Sequence, residues 1–144
     1  MTDTSLFVVE KLALPGVIKF TPKIFADDRG FLAATYVEDV FGALGITAKF
    51  VQDNSSHSHR GVIRGMHFQC APHAQDKLVR CAHGEVIDVA ADHDPVSPTY
   101  GMHVAVTLKD SEQTLLYIPG KYAHGFGVLS DEAVVEYKLT DTYH

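Results

Sequence analysis

The sequence predicts an all-β protein, either a sandwich or a barrel of short strands with little helix. Stretches rich in Val, Ile, Phe, Tyr and Thr recur along the 144 residues, and each closes on Gly, Pro, Asp or Ser. Many short strands at regular spacing are typical of sandwiches and barrels. The composition, 46% hydrophobic and 21% charged, is that of a globular chain able to build its own core. At this length we expect one domain, residues 1–144.

The predicted elements follow in chain order from these patterns. Turns are expected where Gly, Pro, Asp and Ser cluster, at residues 28–30, 82–84, 94–95, 97–98 and 119–120. One short helix is expected over residues 37–44, because Gly45 stops it. Strands are expected over residues 6–10, 16–20, 31–36, 49–51, 62–69, 77–81, 85–90, 103–108, 114–118 and 133–139.

The charge and the cysteines exclude several classes of protein. Twelve basic and eighteen acidic residues give a net charge of −6, which disfavours non-specific nucleic-acid binding and a basic membrane-surface helix. The sequence contains neither an apolar run long enough to span a bilayer nor a signal-peptide pattern at its start. Cys70 and Cys81 form no CxxC motif and no disulfide framework. We therefore expect a cytoplasmic protein with reduced thiols, without nucleic-acid or membrane partners.

Alternation within two predicted strands places Tyr137 and Lys77 on apolar faces. Tyr137 shares its face with the apolar residues of the last strand, so we expect it to point inward. Lys77 shares its face with Val79 and Cys81. A lysine on an apolar face is unusual, and this position therefore indicates a functional role.

Arg64 and His67 lie three residues apart in the strand predicted over residues 62–69. A regular strand turns residues at odd separation to opposite faces. Both side chains can serve one site only if a β-bulge lies between them. Gly65 is the residue at which we place this bulge.

Polar and glycine-containing motifs follow one another in an order that resembles a known family. They are Asp28-Arg29-Gly30-Phe31, Gln52-Asp53-Asn54, the run from Val62 to Gln69, Lys77-Leu78-Val79-Arg80-Cys81, Gly84-Glu85-Val86, Ser97-Pro98-Thr99, Ala123-His124-Gly125-Phe126 and Tyr137-Lys138. This pattern, which covers most of the chain, resembles the dTDP-4-dehydrorhamnose 3,5-epimerases, which act on nucleotide-linked 4-keto sugars. The resemblance implies a cupin-type β-barrel, or jelly roll, with one or two short helices.

Epimerisation beside a ketone needs three kinds of group. A base removes a hydrogen from the carbon next to the ketone, an acid returns a proton to the other face of the ring, and a cation stabilises the enolate oxygen. The resemblance implies that His67 is the base, Tyr137 the acid and Lys77 the cation, with Asp88 as a polar neighbour. Ordinary pKa values suit these roles, because His titrates near neutral pH and Tyr holds its proton there. We expect no metal and no cofactor in this chemistry.

The resemblance also implies contacts with the nucleotide. Arg64 and Arg29 are expected to bind the diphosphate, since Arg is the usual clamp for phosphate groups. Arg29 would act from the partner subunit, because these epimerases are homodimers that exchange N-terminal strands. Further ligand contacts are expected from Gln52, Asn54, His124 and Tyr143, the last of which would stack on the base.

Three features of the sequence depart from the family pattern. Ala34 stands where the family has a glutamate that contacts thymine, so dTDP-, CDP-, UDP- and GDP-linked sugars all stay open. The sequence ends at His144, before the family's tail and the aspartate in it that orients the base. The partner of His67, and epimerisation at C3, C5 or both, therefore stay open. Residues 92–94 (Asp-His-Asp) replace the family's usual Asp-x-Arg.

Two other functions stay open from the sequence. In a metal-dependent cupin enzyme, His57 and His59 would be ligands in a polar turn, with a third imidazole from His67, His73, His83 or His124. A nucleotide-sugar-binding homologue with reduced catalysis would bind the same ligand without exchanging its hydrogens.

Overall fold

Twelve strands and one short helix form in the part of the chain that the structure describes. This structure, a computed structural model, describes residues 4–144. The helix α1 spans Glu38–Ala43, and a single 3-10 turn (Thr4–Leu6) precedes the first strand. The strands are β1 (Phe7–Lys11), β2 (Ile18–Pro22), β3 (Ile24–Asp27), β4 (Gly30–Ala33), β5 (Gln52–His59), β6 (Ile63–His67), β7 (Lys77–His83), β8 (Glu85–Ala91), β9 (His103–Lys109), β10 (Leu115–Ile118), β11 (Ala123–Val128) and β12 (Glu132–Leu139).

Two antiparallel sheets face each other across the main core. The larger sheet has the strand order β1-β2-β10-β7-β12-β5 and the smaller one β6-β11-β8-β9, while β3 and β4 form a separate hairpin. Val79, Cys81 and Val135 of the larger sheet pack with Val86 and Phe126 of the smaller sheet. Burial of this apolar surface is the main force that holds the sheets together. Side chains that share a face with these residues therefore point into the space between the sheets.

The helix α1 covers part of the outer face of the larger sheet. Its buried residues are Val40 and Phe41, and the Phe41 ring stacks on Phe20 of β2 with 4.3 Å between ring centroids. The helix ends before Gly45, which adopts a φ of +87° that glycine accepts without a steric penalty. Within residues 4–144, no helix is long and apolar enough to cross a membrane.

The predicted all-β class is confirmed, but three of the observed strands were not predicted. They are β3, β5 and β11. The strand predicted over residues 49–51 and the polar turn expected around His57 and His59 are both wrong, because β5 spans Gln52–His59. Its side chains are polar on both faces, so no alternation of apolar residues marks it. Pairing with β12 along its whole length holds β5 in place instead.

Candidate active site

The larger sheet carries four of the predicted site residues on its inner face. Lys77 of β7 lies opposite Leu139 of β12, which in turn lies opposite Gln52 of β5. Tyr137 lies two residues from Leu139 and opposite Asn54. Directly opposed and alternate residues share a face. The apolar faces predicted for Lys77 and Tyr137 are therefore confirmed, and Tyr137 packs against the main core.

The smaller sheet carries four more predicted residues on its inner face. His124 of β11 lies opposite both Ala90 of β8 and His67 of β6. Asp88 lies two residues from the buried Ala90, so it faces the same way. Arg64 lies opposite Phe126, which points into the core. Residues from both sheets thus face each other across the interior.

A β-bulge in β6 brings Arg64 and His67 to one face. Three residues separate them on β6, but their partners on β11, Phe126 and His124, are only two apart, and the register shifts there. Gly65 lies inside this bulge and has a φ of +123°. A Cβ atom at Gly65 would stand 2.6 Å from the Cα atom of Gly125. The predicted bulge is therefore confirmed, and the close approach of two strands explains the glycine.

A buried histidine–carboxylate pair lies at the centre of the smaller sheet. The Nε2 atom of His124 lies 3.0 and 2.9 Å from the two carboxylate oxygens of Asp88, and both side chains are buried. Lys77 of the larger sheet interacts electrostatically with Asp88 of this pair. Burial lowers the pKa of Lys77, and the charge of Asp88 opposes that shift by raising it. The interior thus places a lysine within electrostatic range of a carboxylate.

Arg64, Gln52 and Asn54 are held by short polar contacts. Arg64 donates from Nε to Ser58 Oγ at 2.8 Å and from Nη2 to the carbonyl oxygen of His57 at 3.3 Å. Gln52 Nε2 donates to Asn54 Oδ1 at 2.9 Å. Ser58 was not predicted, although its place in the alternation of β5 marks it as an inner-facing residue.

Two predicted residues lie away from this group. Tyr143 exposes 84% of its surface, and only its backbone N–H approaches the site, 3.4 Å from Gln52 Oε1. Arg29 lies in the exposed β3–β4 turn, where its Nε donates to Asp27 Oδ2 at 3.1 Å. This hydrogen bond lowers the pKa of Asp27. Within one chain, therefore, Arg29 lies apart from the predicted site residues on the inner faces of the two sheets.

Asp141 is the carboxylate nearest the end of the sequence, and it binds His73 instead of His67. Its Oδ2 atom lies 3.1 Å from His73 Nδ1. The hydrogen bond with His73 lowers the pKa of Asp141. The side chain of Asp141 thus has its hydrogen-bond partner in His73, which lies outside the two facing sheets.

The histidines considered for a metal-dependent cupin point away from the site. His57 and His59 are exposed on the face of β5 opposite to the buried Ser58. His57 Nε2 lies 2.9 Å from Glu132 Oε2, and this contact lowers the pKa of Glu132. The two rings therefore cannot share an ion with His67 or His124, which face the interior. This geometry disfavours the metal-dependent alternative.

Comparisons with known proteins agree with the motif pattern. The family model described as dTDP-4-dehydrorhamnose 3,5-epimerase matches residues 11–144. The chain is 49% identical over 136 residues to the dTDP-4-dehydrorhamnose 3,5-epimerase of Shigella flexneri, covering 94% of this chain and 75% of that protein. It is 40% identical over 133 residues to a dTDP-4-dehydrorhamnose 3-epimerase of Streptomyces niveus, covering 92% and 64%.

A solved structure supports the same conclusion. The fold matches that of a dTDP-6-deoxy-D-glucose-3,5-epimerase from Legionella pneumophila in complex with dTDP-4-keto-L-rhamnose. The TM-score is 0.92 at 42% identity, over 96% of this chain and 73% of the other. The expected cupin-type fold is thereby confirmed. The chain belongs to the dTDP-4-dehydrorhamnose 3,5-epimerase family of isomerases.

Proposed function

We propose that this protein epimerises a nucleotide-diphosphate-linked 4-keto-6-deoxy sugar at C3, C5 or both, in the supply of deoxysugars for polysaccharides. One observation carries the proposal: His67 and Tyr137 lie on inner faces of opposing sheets. A sugar ring between the sheets would have a base on one side and an acid on the other. Inversion at carbon needs this arrangement, because the proton must return to the face opposite the one it left.

In the proposed mechanism, the His67 imidazole takes the hydrogen next to the ketone. The electron pair moves onto the ketone oxygen, and the buried Lys77 ammonium stabilises the resulting enolate. The hydrogen-bonded side chains of Asp88 and His124 form the polar surface beside this lysine. The Tyr137 hydroxyl then returns a proton on the other face. The low-dielectric surroundings strengthen the lysine–enolate attraction.

Substrate binding is assigned to Arg64, Gln52, Asn54 and His124 on the inner faces, with Tyr143 at the rim to stack on the base. The three similar proteins reported above are all named for dTDP sugars, and one of them was solved with such a ligand, which favours a dTDP sugar here. Ala34 cannot make the polar contact that a glutamate would make with thymine. We therefore include CDP-, UDP- and GDP-linked sugars in the test below.

A homodimer with exchanged N-terminal strands is part of the proposal. The β3–β4 hairpin exposes Phe25, Phe31 and Leu32, and Arg29 lies at its turn. Contiguous exposed apolar side chains mark interfaces. A second copy would cover them and receive Arg29 beside its own bound diphosphate. We place the protein in the cytoplasm, which its two free thiols, at Cys70 and Cys81, support.

The test follows solvent hydrogen into the sugar. The protein is incubated in D2O with dTDP-, CDP-, UDP- and GDP-linked 4-keto-6-deoxy sugars, and NMR locates the deuterium. We expect label at C3, C5 or both with at least one nucleotide. His67→Ala should reduce labelling at least about a hundredfold. Tyr137→Phe should still exchange hydrogen but fail to invert the carbon.

A matched control separates this proposal from its competitors. His57→Ala alters an exposed, outer-facing histidine, so labelling should stay at the wild-type rate. Loss of activity in this variant would favour the metal-dependent cupin. Tight binding of the nucleotide sugar without any exchange would identify a binding protein and overturn the proposed activity.

A further inference from the structure

Three side chains outside the proposed catalytic group lie as metal ligands would. His73 Nδ1 lies 3.1 Å from Asp141 Oδ2, and His144 Nε2 lies 3.7 Å from Asp141 Oδ1. One ligand atom from each residue falls within 4.8 Å of the others. We propose that this cluster binds one divalent transition-metal ion of the zinc class. Its ligands would be two imidazole nitrogens and one carboxylate oxygen.

The spacing suits a tetrahedral ion. Bonds from zinc to nitrogen or oxygen are about 2.0–2.2 Å, which sets neighbouring ligand atoms about 3.3 Å apart in a tetrahedron. His73 Nδ1 lies 3.1 Å from Oδ2 of Asp141 and His144 Nε2 lies 3.7 Å from Oδ1, so each imidazole nitrogen is near this separation from one oxygen of the same carboxylate. The His73 and His144 rings stack with centroids 3.6 Å apart.

The backbone that carries the three ligands is already held in place. The Gln69 side chain donates from Nε2 to the carbonyl oxygens of His73 and Thr142, and its Oε1 accepts from the backbone N–H of His144. Gln75 Nε2 donates to the carbonyl oxygen of Asp141 at 2.8 Å. Such preorganisation lowers the entropic cost of collecting the ligands.

The chemistry and the exposure of the cluster select the kind of ion. Imidazole and carboxylate donors together suit Zn²⁺, Cu²⁺ or Ni²⁺, whereas Mg²⁺ and Ca²⁺ prefer all-oxygen sites. The side chains of His73, Asp141 and His144 are 44%, 32% and 46% exposed. An ion can therefore enter from solvent, and a water molecule can take the fourth position. The ion would join the loop after β6 to the end of the described chain, away from the proposed proton transfers.

The competing explanation is a surface ion pair between protonated His73 and Asp141. Such pairs between exposed groups contribute little and require no metal. The two explanations predict different responses to zinc. A metal site binds the ion saturably and loses affinity when either imidazole is removed, whereas a surface ion pair binds no ion.

The test measures binding of zinc alone to the metal-depleted protein of 144 residues. Isothermal titration at neutral pH should show one ion per chain. His73→Ala, His144→Ala and Asp141→Asn should each weaken binding at least about tenfold. Asp141→Asn is nearly isosteric, so it keeps the test valid if a histidine variant folds poorly. The control is His103→Ala, an exposed histidine on β9, which should leave the affinity unchanged.

Two further readouts separate a built site from scattered histidines, of which the chain has nine. Cobalt(II) should give the visible absorption of a tetrahedral nitrogen–oxygen site in the wild type and lose it in His144→Ala. Zinc should raise the melting temperature of the wild type but not of that variant. The proposal is overturned by the absence of saturable binding, or by binding that the three ligand variants do not change. No sugar substrate is used, so the result does not depend on the proposed function.

Discussion

Replacing Gly65 with alanine tests the origin of the bulge that brings Arg64 and His67 together. A Cβ atom at this position would lie 2.6 Å from the Cα atom of Gly125 and 2.8 Å from the carbonyl oxygen of His124. Both contacts are with backbone, which cannot move aside as a flexible side chain can. The φ of +123° adds a second penalty, because residues with a Cβ atom avoid such conformations.

Gly61 provides the matched control. It has a φ of +81°, but a Cβ atom there would meet no heavy atom within 4 Å. Gly61→Ala should therefore cost only the conformational penalty, about 1–2 kcal/mol. Gly65→Ala carries a comparable penalty and the cost of forcing atoms into an occupied space, about 1–3 kcal/mol more. The total of about 2–5 kcal/mol is a large fraction of the stability of a typical domain.

Urea denaturation of both variants measures this difference. We expect the free energy of unfolding to fall further for Gly65→Ala than for Gly61→Ala, at unchanged m-value. Hydrogen exchange into the sugar, measured well below the melting temperature, should also fall in Gly65→Ala, because His67 shifts relative to Arg64. Equal destabilisation of the two variants would refute the argument that the approach of β6 to β11 demands a glycine.

Three further experiments address the Asp88–His124 pair, the partner subunit and the thiols. Asp88→Asn should cost about 1–3 kcal/mol in thermal unfolding, because it disturbs a buried hydrogen bond between a carboxylate and His124. It should also move the alkaline limb of the pH–rate profile to lower pH, since the carboxylate that raises the pKa of the buried lysine is gone. Arg29→Ala and His67→Ala should each be inactive alone, but mixing the two kinds of chain should restore activity if Arg29 acts in the partner's site. No recovery of activity would mean that Arg29 and His67 of the same chain serve the same site. A thiol reagent at about pH 8 should label only Cys70, which is exposed, because burial raises the pKa of the Cys81 thiol to about 11. Labelling of both thiols in the folded protein would contradict this expectation.

The alternation of inward and outward side chains within single strands was enough to predict the direction of several site residues. The period of two in the strand fixes which face each residue occupies. Apolar residues two positions away, Val79 for Lys77 and both Val135 and Leu139 for Tyr137, therefore revealed their inward direction from sequence. The bulge followed from the same rule, because an odd separation between Arg64 and His67 can be corrected only by one extra residue.

The remaining features depend on contacts that are remote in sequence. The strand β5 has no apolar periodicity, since its inner face presents Gln52, Asn54 and Ser58 to the site and its outer face meets solvent. Its conformation comes from pairing with β12, about eighty residues later. The pairing of Asp88 with His124 likewise joins two strands through the sheet register. No pattern within either strand encodes that contact.

Alternation also explains how an acidic chain can present a cationic interior to a diphosphate. Asp53 of β5 lies on the outer face, where Lys138 Nζ is 3.1 Å away, and Glu136 of β12 is hydrogen-bonded there by Arg80. Asp88 lies on the inner face, where it is hydrogen-bonded to His124 and interacts with the charge of Lys77. Asp53 and Glu136 thus lie on surfaces that the proposed ligand does not meet. Because interactions between exposed charges are screened beyond about 8 Å at physiological salt, these carboxylates oppose an anion in the interior only weakly.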